Sequence, residues 1–330
     1  MNIKTKARIS WFDFLRGIAI LMVITIHTFS YCLSSNLIIS DDIIIIRQLL
    51  NCAVPLFLAI SGFFLTIKQK EKSQIIFLKH QISKIYIPTL IWSLPYLSFD
   101  LLYNNNIWYK SFINFISCGF SIYYFIALII QYYILFPILR KTNIHTLIVT
   151  FIITIISVGF ISYLDYISEY NLSLLRKAGP FPIWIVFFCL GIYLGKMQER
   201  NYSIFPWFIM LLLGIIISFI ETKWLYQSYH TGFGIKISTH IYSFAVIVLL
   251  FSNKIQKIFN EKSFLFNIIT YLGRISFGIY LIHLYLIDAF RVLHLNFGWI
   301  LSTIIIIIFT ITFIYTIKKY FPKYSNYLGF

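Results

Sequence analysis

The sequence predicts an all-α, polytopic integral membrane protein of about ten transmembrane helices, both termini cytoplasmic, with one membrane domain over residues 1–330 and no separate soluble domain. Three observations predict it. Of 330 residues, 59% are hydrophobic and only 12% charged, at a mean hydropathy of +0.83, far from the balance of a soluble domain. Runs such as IISDDIIIIRQLLNCAVPLFLAISGFFLTI and GWILSTIIIIIFTITFIYTI reach the ~20 apolar residues that a bilayer span requires. Lipid forces such runs into helices, because an open sheet leaves backbone groups unpaired and a barrel shows short alternating segments instead. The third observation is the placement of Lys and Arg, which fixes orientation.

The expected helices cover about 11–33, 43–67, 85–103, 118–139, 143–163, 179–195, 203–220, 237–252, 264–287 and 297–317. The first follows Lys4, Lys6 and Arg8 and carries Asp13, Arg16 and His27 in a mainly apolar run. Cleavage as a signal peptide is disfavoured, since Asp13 and Arg16 interrupt the apolar region and no small-residue cleavage site follows. The second and third are separated by Lys68, Lys70, Lys72, Lys79 and Lys84, the fourth and fifth by Arg140 and Lys141, the sixth and seventh by Lys196 and Arg200. Lys254, Lys257 and Lys262 lie between the eighth and ninth, and Lys318, Lys319 and Lys323 follow the tenth. Together with the amino terminus these positions hold 18 of the 27 basic residues. The opposite loops and their margins hold seven: Arg47, Lys110, Arg176, Lys177, Lys223, Lys236 and Arg291. The positive-inside rule therefore puts both termini in the cytoplasm.

The formal net charge of +16 invites a nucleic-acid reading, but that needs a basic patch on a soluble domain, so no nucleic-acid partner is expected. The lysines are topology signals. Cys32, Cys52, Cys118 and Cys189 stand in or beside apolar segments without CxxC spacing, so neither a metal site nor a disulfide framework is indicated. The longest outer loops, 104–117 and 221–236, carry aromatic and polar residues that suit a sugar-like partner, although aromatic residues at these depths are more often interfacial anchors. No internal repeat supports an inverted-repeat transporter.

Arg16 and His27 are the residues that packing explains least. Eleven positions make about three turns plus 20°, so both lie on one stripe, about 16.5 Å apart along the axis. Arginine within hydrocarbon costs about 2.5–3.5 kcal/mol on insertion scales, which makes function the default reading. Asp13, three residues before Arg16, offers a helix-surface ion pair. Anchoring of the cytoplasmic end, with Arg16 snorkelling, accounts for these two. It does not account for His27, expected in the outer half of the membrane. A desolvated imidazole stays neutral and can accept a hydroxyl proton, the requirement for a general base in acyl transfer. A hydrogen bond between helices is the competing explanation.

DFLRGIAILMVITIH, from Asp13 to His27, resembles the D-x-L-R-G and R-x10-H signature of the membrane acyltransferase 3 family. VPLFLAISGFFL (54–65), with Ser61 and Gly62, is similar to the family's proline-containing second helix, and FLKHQISKIYIP (77–88) to its basic cytoplasmic segment. YYFIALIIQYYILFPIL (123–139) and GRISFGIYLIH (273–283) resemble its middle and late membrane motifs. The five segments occur in order over nearly the whole chain. Two departures stand out: Lys79 and Lys84 occupy positions where arginine is common, and Asn51 stands where relatives often have arginine before Val-Pro.

The resemblance implies an O-acyltransferase of the bacterial-type cytoplasmic membrane. It would use acyl-CoA, usually acetyl-CoA, as donor substrate, without a resident cofactor or metal, and a hydroxyl of an envelope carbohydrate or lipid-linked glycan as acceptor. It makes Arg16 and His27 the essential pair, with Arg16, Lys79 and Lys84 contacting the acyl-CoA. Asp13, Ser61, Tyr124 and His283 are supporting candidates, the last three for the oxyanion donor that tetrahedral acyl transfer needs. Direct transfer and an acyl-His27 intermediate are both open. Helical side chains lean toward the amino terminus, so Arg16 leans to the cytoplasm and away from His27. The expected division of labour is donor anchoring by Arg16 and proton acceptance by His27. The esterase-like domain of some relatives is expected to be absent. The alternative function is a transporter or flippase of an envelope glycan or acylated intermediate. A purely structural membrane role leaves His27 unexplained, and the sequence leaves the acceptor and the oligomeric state open.

Overall fold

A computed structural model describes residues 9–33, 41–68, 74–103, 107–167, 172–229 and 232–330. Lys4, Lys6, Arg8, Lys70, Lys72 and parts of both long outer loops lie outside the described residues. Among the described residues the regular structure is helical throughout. In chain order the helices are α1 (Ser10–Leu33), α2 (Asp41–Leu49), α3 (Ala53–Lys68), α4 (Gln74–Tyr103), α5 (Trp108–Ile116), α6 (Tyr124–Leu139), α7 (Ile144–Ser162) and α8 (Leu174–Ala178). They continue with α9 (Ile185–Lys196), α10 (Phe205–Tyr229), α11 (Ile237–Phe251), α12 (Asn253–Gln256), α13 (Phe264–Arg274), α14 (Ser276–Val292), α15 (Gly298–Tyr320) and α16 (Pro322–Ser325).

Among the described residues seven segments are long and apolar enough to cross a membrane, and α13 with α14 would make an eighth if taken as one span. The helices expected at 179–195 and 237–252 form α9 and α11, of 12 and 15 residues. At 1.5 Å per residue these reach only about 18 and 22 Å, short of a ~30 Å hydrocarbon core. The second expected helix is interrupted by a 3-10 turn at Leu50–Cys52, and Pro55 then sits in the first turn of α3, where a missing N–H costs nothing. The third begins at Gln74, well before residue 85, so the basic segment 77–88 is helical and Pro88 lies within α4. The ninth is two helices meeting at 80° across Ile275.

Burial sorts the helices into centre and periphery. The apolar window of α1 is 61% buried, against 17% for α10. On α7, α10 and α15 most exposed side chains away from the helix ends are apolar, among them Ile148, Ile152, Ile216, Ile220, Ile304 and Ile308, as a lipid-facing surface requires. The centre is held by close backbone approaches. A methyl group on Gly191 would lie 2.0 Å from the Ala59 carbonyl oxygen, and one on Gly62 would lie 2.3 Å from that of Phe188. α3 and α9 therefore pack backbone to backbone, with Gly191 and Gly195 in GxxxG spacing. α1 meets α13 as tightly, since a methyl on Gly273 would lie 1.7 Å from the Asp13 carbonyl oxygen.

Candidate active site

α1 carries polar groups toward both ends, and the structure gives each end a different setting. Near its start, Asp13 is 1% exposed and accepts a hydrogen bond from Arg16 Nη1 at 3.0 Å. Arg274 Nε, at the end of α13, stands 3.8 Å from the other carboxylate oxygen. One carboxylate thus serves two guanidiniums, so these three side chains together carry a formal positive charge. The Arg16 guanidinium lies 4.8 Å over the Phe64 ring of α3, and its side chain is 27% exposed. Cation–π contact holds it without using up its donors. Lys79 and Lys84, on α4, are exposed.

Near the far end of α1, His27 borders a cavity of about 270 Å³ built by most of the central helices. α1 supplies Val23, His27 and Ser30, the α2–α3 junction supplies Arg47, Asn51 and Phe57, and α6 supplies Tyr124 and Phe125. Asp165 enters from the π-helical turn Tyr163–Ile167 that closes α7, a backbone irregularity of the kind found at functional sites. Lys177 of α8 donates to both Asp165 oxygens, at 3.0 and 3.1 Å. Trp184, Phe233, Thr239 and Tyr280 complete the wall. Aromatic faces alternate with hydrogen-bonding groups, a composition suited to an uncharged polyhydroxyl ring.

The wall is braced from behind. Arg47 donates to Asn51 Oδ1 one helical turn later, and Asn51 Nδ2 donates to Gln48 Oε1 at 3.1 Å and to the Phe233 carbonyl at 3.3 Å. Lys236, fully buried, donates to Gln48 Oε1 at 2.9 Å and to the Thr222 hydroxyl. A guanidinium thus reaches Asn51, the position where arginine is common in relatives, from four residues earlier.

The supporting candidates separate. Tyr124 is half-buried on the cavity wall, and its hydroxyl has no hydrogen-bond partner among the described residues. Ser61 donates to the Phe57 carbonyl of its own helix at 2.8 Å and is not on the cavity wall. His283 is fully buried on α14 with its ring centroid 5.4 Å from that of His27, at 45°. A larger cavity of about 410 Å³ among α7, α9, α10 and α11 is apolar and has no imidazole, carboxylate or amine on its wall. Groups able to take part in proton transfer line the His27 cavity instead.

Arg47, Asp165, Lys177, Trp184 and Lys236 escape sequence reasoning. Four of the five are basic or acidic residues near helix ends, where charges are ordinary, and only long-range folding brings them together. The one available signal is Arg47, a single helical turn before Asn51.

The family model described as "Acyltransferase domain" matches residues 9–319. A Bacillus subtilis (strain 168) protein named as a membrane-bound acyltransferase, YfiQ, is 26% identical over 317 residues, covering 86% of this chain and 82% of its own length. A Staphylococcus aureus (strain MSSA476) protein named as a poly-beta-1,6-N-acetyl-D-glucosamine export protein is 24% identical over 256 residues, covering 74% and 71%. Its Staphylococcus epidermidis namesake is 25% identical over 292 residues, covering 84% and 80%. No solved structure matches the chain.

Proposed function

This chain belongs to the acyltransferase 3 family and is a multi-pass integral membrane protein, and from that premise we propose that it transfers an acyl group, acetyl in the first place, from cytoplasmic acyl-CoA to a hydroxyl of an envelope carbohydrate or lipid-linked glycan. The observation that carries this reading is His27 on the wall of an aromatic and polar cavity, at the other end of α1 from the cationic Asp13–Arg16–Arg274 cluster. With an amino terminus in the cytoplasm, the cluster lies on the donor side and the cavity on the acceptor side.

In this mechanism Arg16, aided by Lys79 and Lys84, holds the anionic or pantetheine part of the donor, whose arm carries the thioester up to His27. The acceptor hydroxyl gives its proton to His27 as its oxygen bonds the acyl carbon. The carbon–sulfur bond then breaks, and the imidazolium returns the proton to the departing thiolate. Tyr124 is the candidate that donates to the developing oxyanion. Removing such a donor costs about 10²–10³-fold in kcat, so Tyr124→Phe is expected to lower kcat by that factor with the acceptor KM little changed.

The test supplies labelled acetyl-CoA to membranes containing the wild type, His27→Ala or Arg16→Ala, followed by analysis of envelope glycans. A β-1,6-linked N-acetylglucosamine polymer is the first acceptor to offer, because it appears in the names of two relatives. The wild type should incorporate label, His27→Ala should bind donor without transferring, and Arg16→Ala should lose donor binding. Undiminished incorporation by His27→Ala rejects His27 as the base. The word export in those names favours one second reading, transport of a glycan: substrate movement without incorporation would select it.

A further inference from the structure

His283 is held in a way that packing does not require. Its Nδ1 faces back onto its own helix and donates to the carbonyl oxygens of Tyr280 at 2.9 Å and Ile279 at 3.1 Å. A neutral imidazole has one N–H, so those carbonyls fix the proton on Nδ1 and leave a lone pair on Nε2. Among the described residues that nitrogen is buried without a hydrogen-bond partner. Since Nδ1 points into α14, Nε2 points outward, and the ring beside it is His27 of α1. A second buried histidine of the same bundle supplies the contrast. His240 has both nitrogens against carbonyl oxygens, Lys236 at 2.8 Å and Ile183 at 3.1 Å, which ties it into the fold on both sides. His283 is tied on one side only. Among the described residues the aromatic ring packed nearest to it is that of His27, which borders the cavity.

We propose that His283 is a positioning residue for proton transfer: its Nε2 lone pair accepts the N–H of His27 and thereby presents the other, unprotonated nitrogen of His27 to the acceptor hydroxyl in the cavity. The ring nitrogens stand out from their centroids, so a 5.4 Å centroid separation admits an N–H···N bond when the His27 ring is turned to point its N–H at Nε2. The role resembles that of the carboxylate behind a catalytic histidine, fixing tautomer and orientation, but with a neutral acceptor. During the reaction the hydroxyl proton goes to the cavity-facing nitrogen of His27, the oxygen bonds the acyl carbon, and the carbon–sulfur bond opens. The N–H toward His283 stays in place and stabilises the imidazolium, which then protonates the thiolate. In the tautomer fixed by its own helix, Nε2 of His283 has no proton to offer an oxyanion, which leaves that task to Tyr124.

This inference rests on His27 acting as the base, and the experiment separates the two. Full-length wild type, His27→Ala, His283→Leu and His283→Gln are purified, their melting temperatures measured, and acyl transfer from labelled acetyl-CoA followed as acceptor concentration varies. Losing the partner of a catalytic histidine costs up to about 10⁴-fold in kcat. His283→Leu is expected to lose about 10²–10⁴-fold in kcat at an acceptor KM within about threefold of wild type. His283→Gln, whose amide oxygen can accept the same N–H, is expected to recover at least about tenfold of that loss. A folded His283→Leu with wild-type kcat overturns the proposal. So does a folded His283→Gln as inactive as His27→Ala, which keeps the test decisive should the leucine variant fail to fold. Full activity of His27→Ala removes the base and the positioning role together.

Discussion

Asp13 is the most demanding single residue in the molecule: it is buried, and its carboxylate is shared between Arg16 and Arg274. Asp13→Asn removes the carboxylate charge that both guanidiniums share. Solvent reaches about half of Arg274 and a quarter of Arg16, so the expected loss is about 1–3 kcal/mol rather than the cost of a fully buried orphan charge. It should appear as a lowered melting temperature together with a raised donor KM, and an unchanged KM would detach Asp13 from the donor. The Asp13–Arg16 contact was legible in the sequence because three residues along a helix place side chains on one face. Arg274, 261 positions away in the chain, was not, and neither was the convergence of Trp184, Asp165 and Lys177 on His27. Such meetings depend on the path of the chain, which residue spacing within one helix does not encode.

Among the elements, apolar run length located the helices well and their interruptions poorly. The 80° turn at Ile275 has no proline to announce it. It follows Gly273, where the α1 backbone needs the space of a side chain, and Ser276 Oγ donates to the Gly273 carbonyl at 2.9 Å across the corner. Tertiary contact decides that break. The same dependence on bare backbone yields a paired prediction for α3 and α9. Gly191→Ala places a methyl against the Ala59 carbonyl and should lower stability by about 1–3 kcal/mol, the scale of overpacking. Gly159→Ala, on α7, meets only the Ile237 Cδ1 atom at an ordinary 3.7 Å and should be neutral or stabilising by up to about 1 kcal/mol. Thermal unfolding in one detergent compares them, and equal destabilisation would contradict the packing assigned to α3 and α9.

For the whole molecule, the distribution of basic residues carries the proposal that both termini face the cytoplasm. The native cysteines Cys32, Cys52, Cys118 and Cys189 are buried, so a single introduced cysteine can be read against low background. A membrane-impermeant maleimide applied to intact cells should label Lys110→Cys at once and Lys262→Cys only after permeabilisation, and the reverse pattern would invert the molecule. Whichever way it sits, the corner at Ile275 sets the length relation between its two polar centres. α1 carries an arginine and then a histidine eleven residues on, and the α13–α14 segment repeats that order nine residues apart, from Arg274 to His283. Asp13 joins the two arginines, and the imidazoles lie side by side. The pair forms a ladder with two rungs, one rail bent at Ile275. Slipping one rail by a single turn, about 5.4 Å, would break both rungs at once, so the axial register of these helices is an all-or-none quantity.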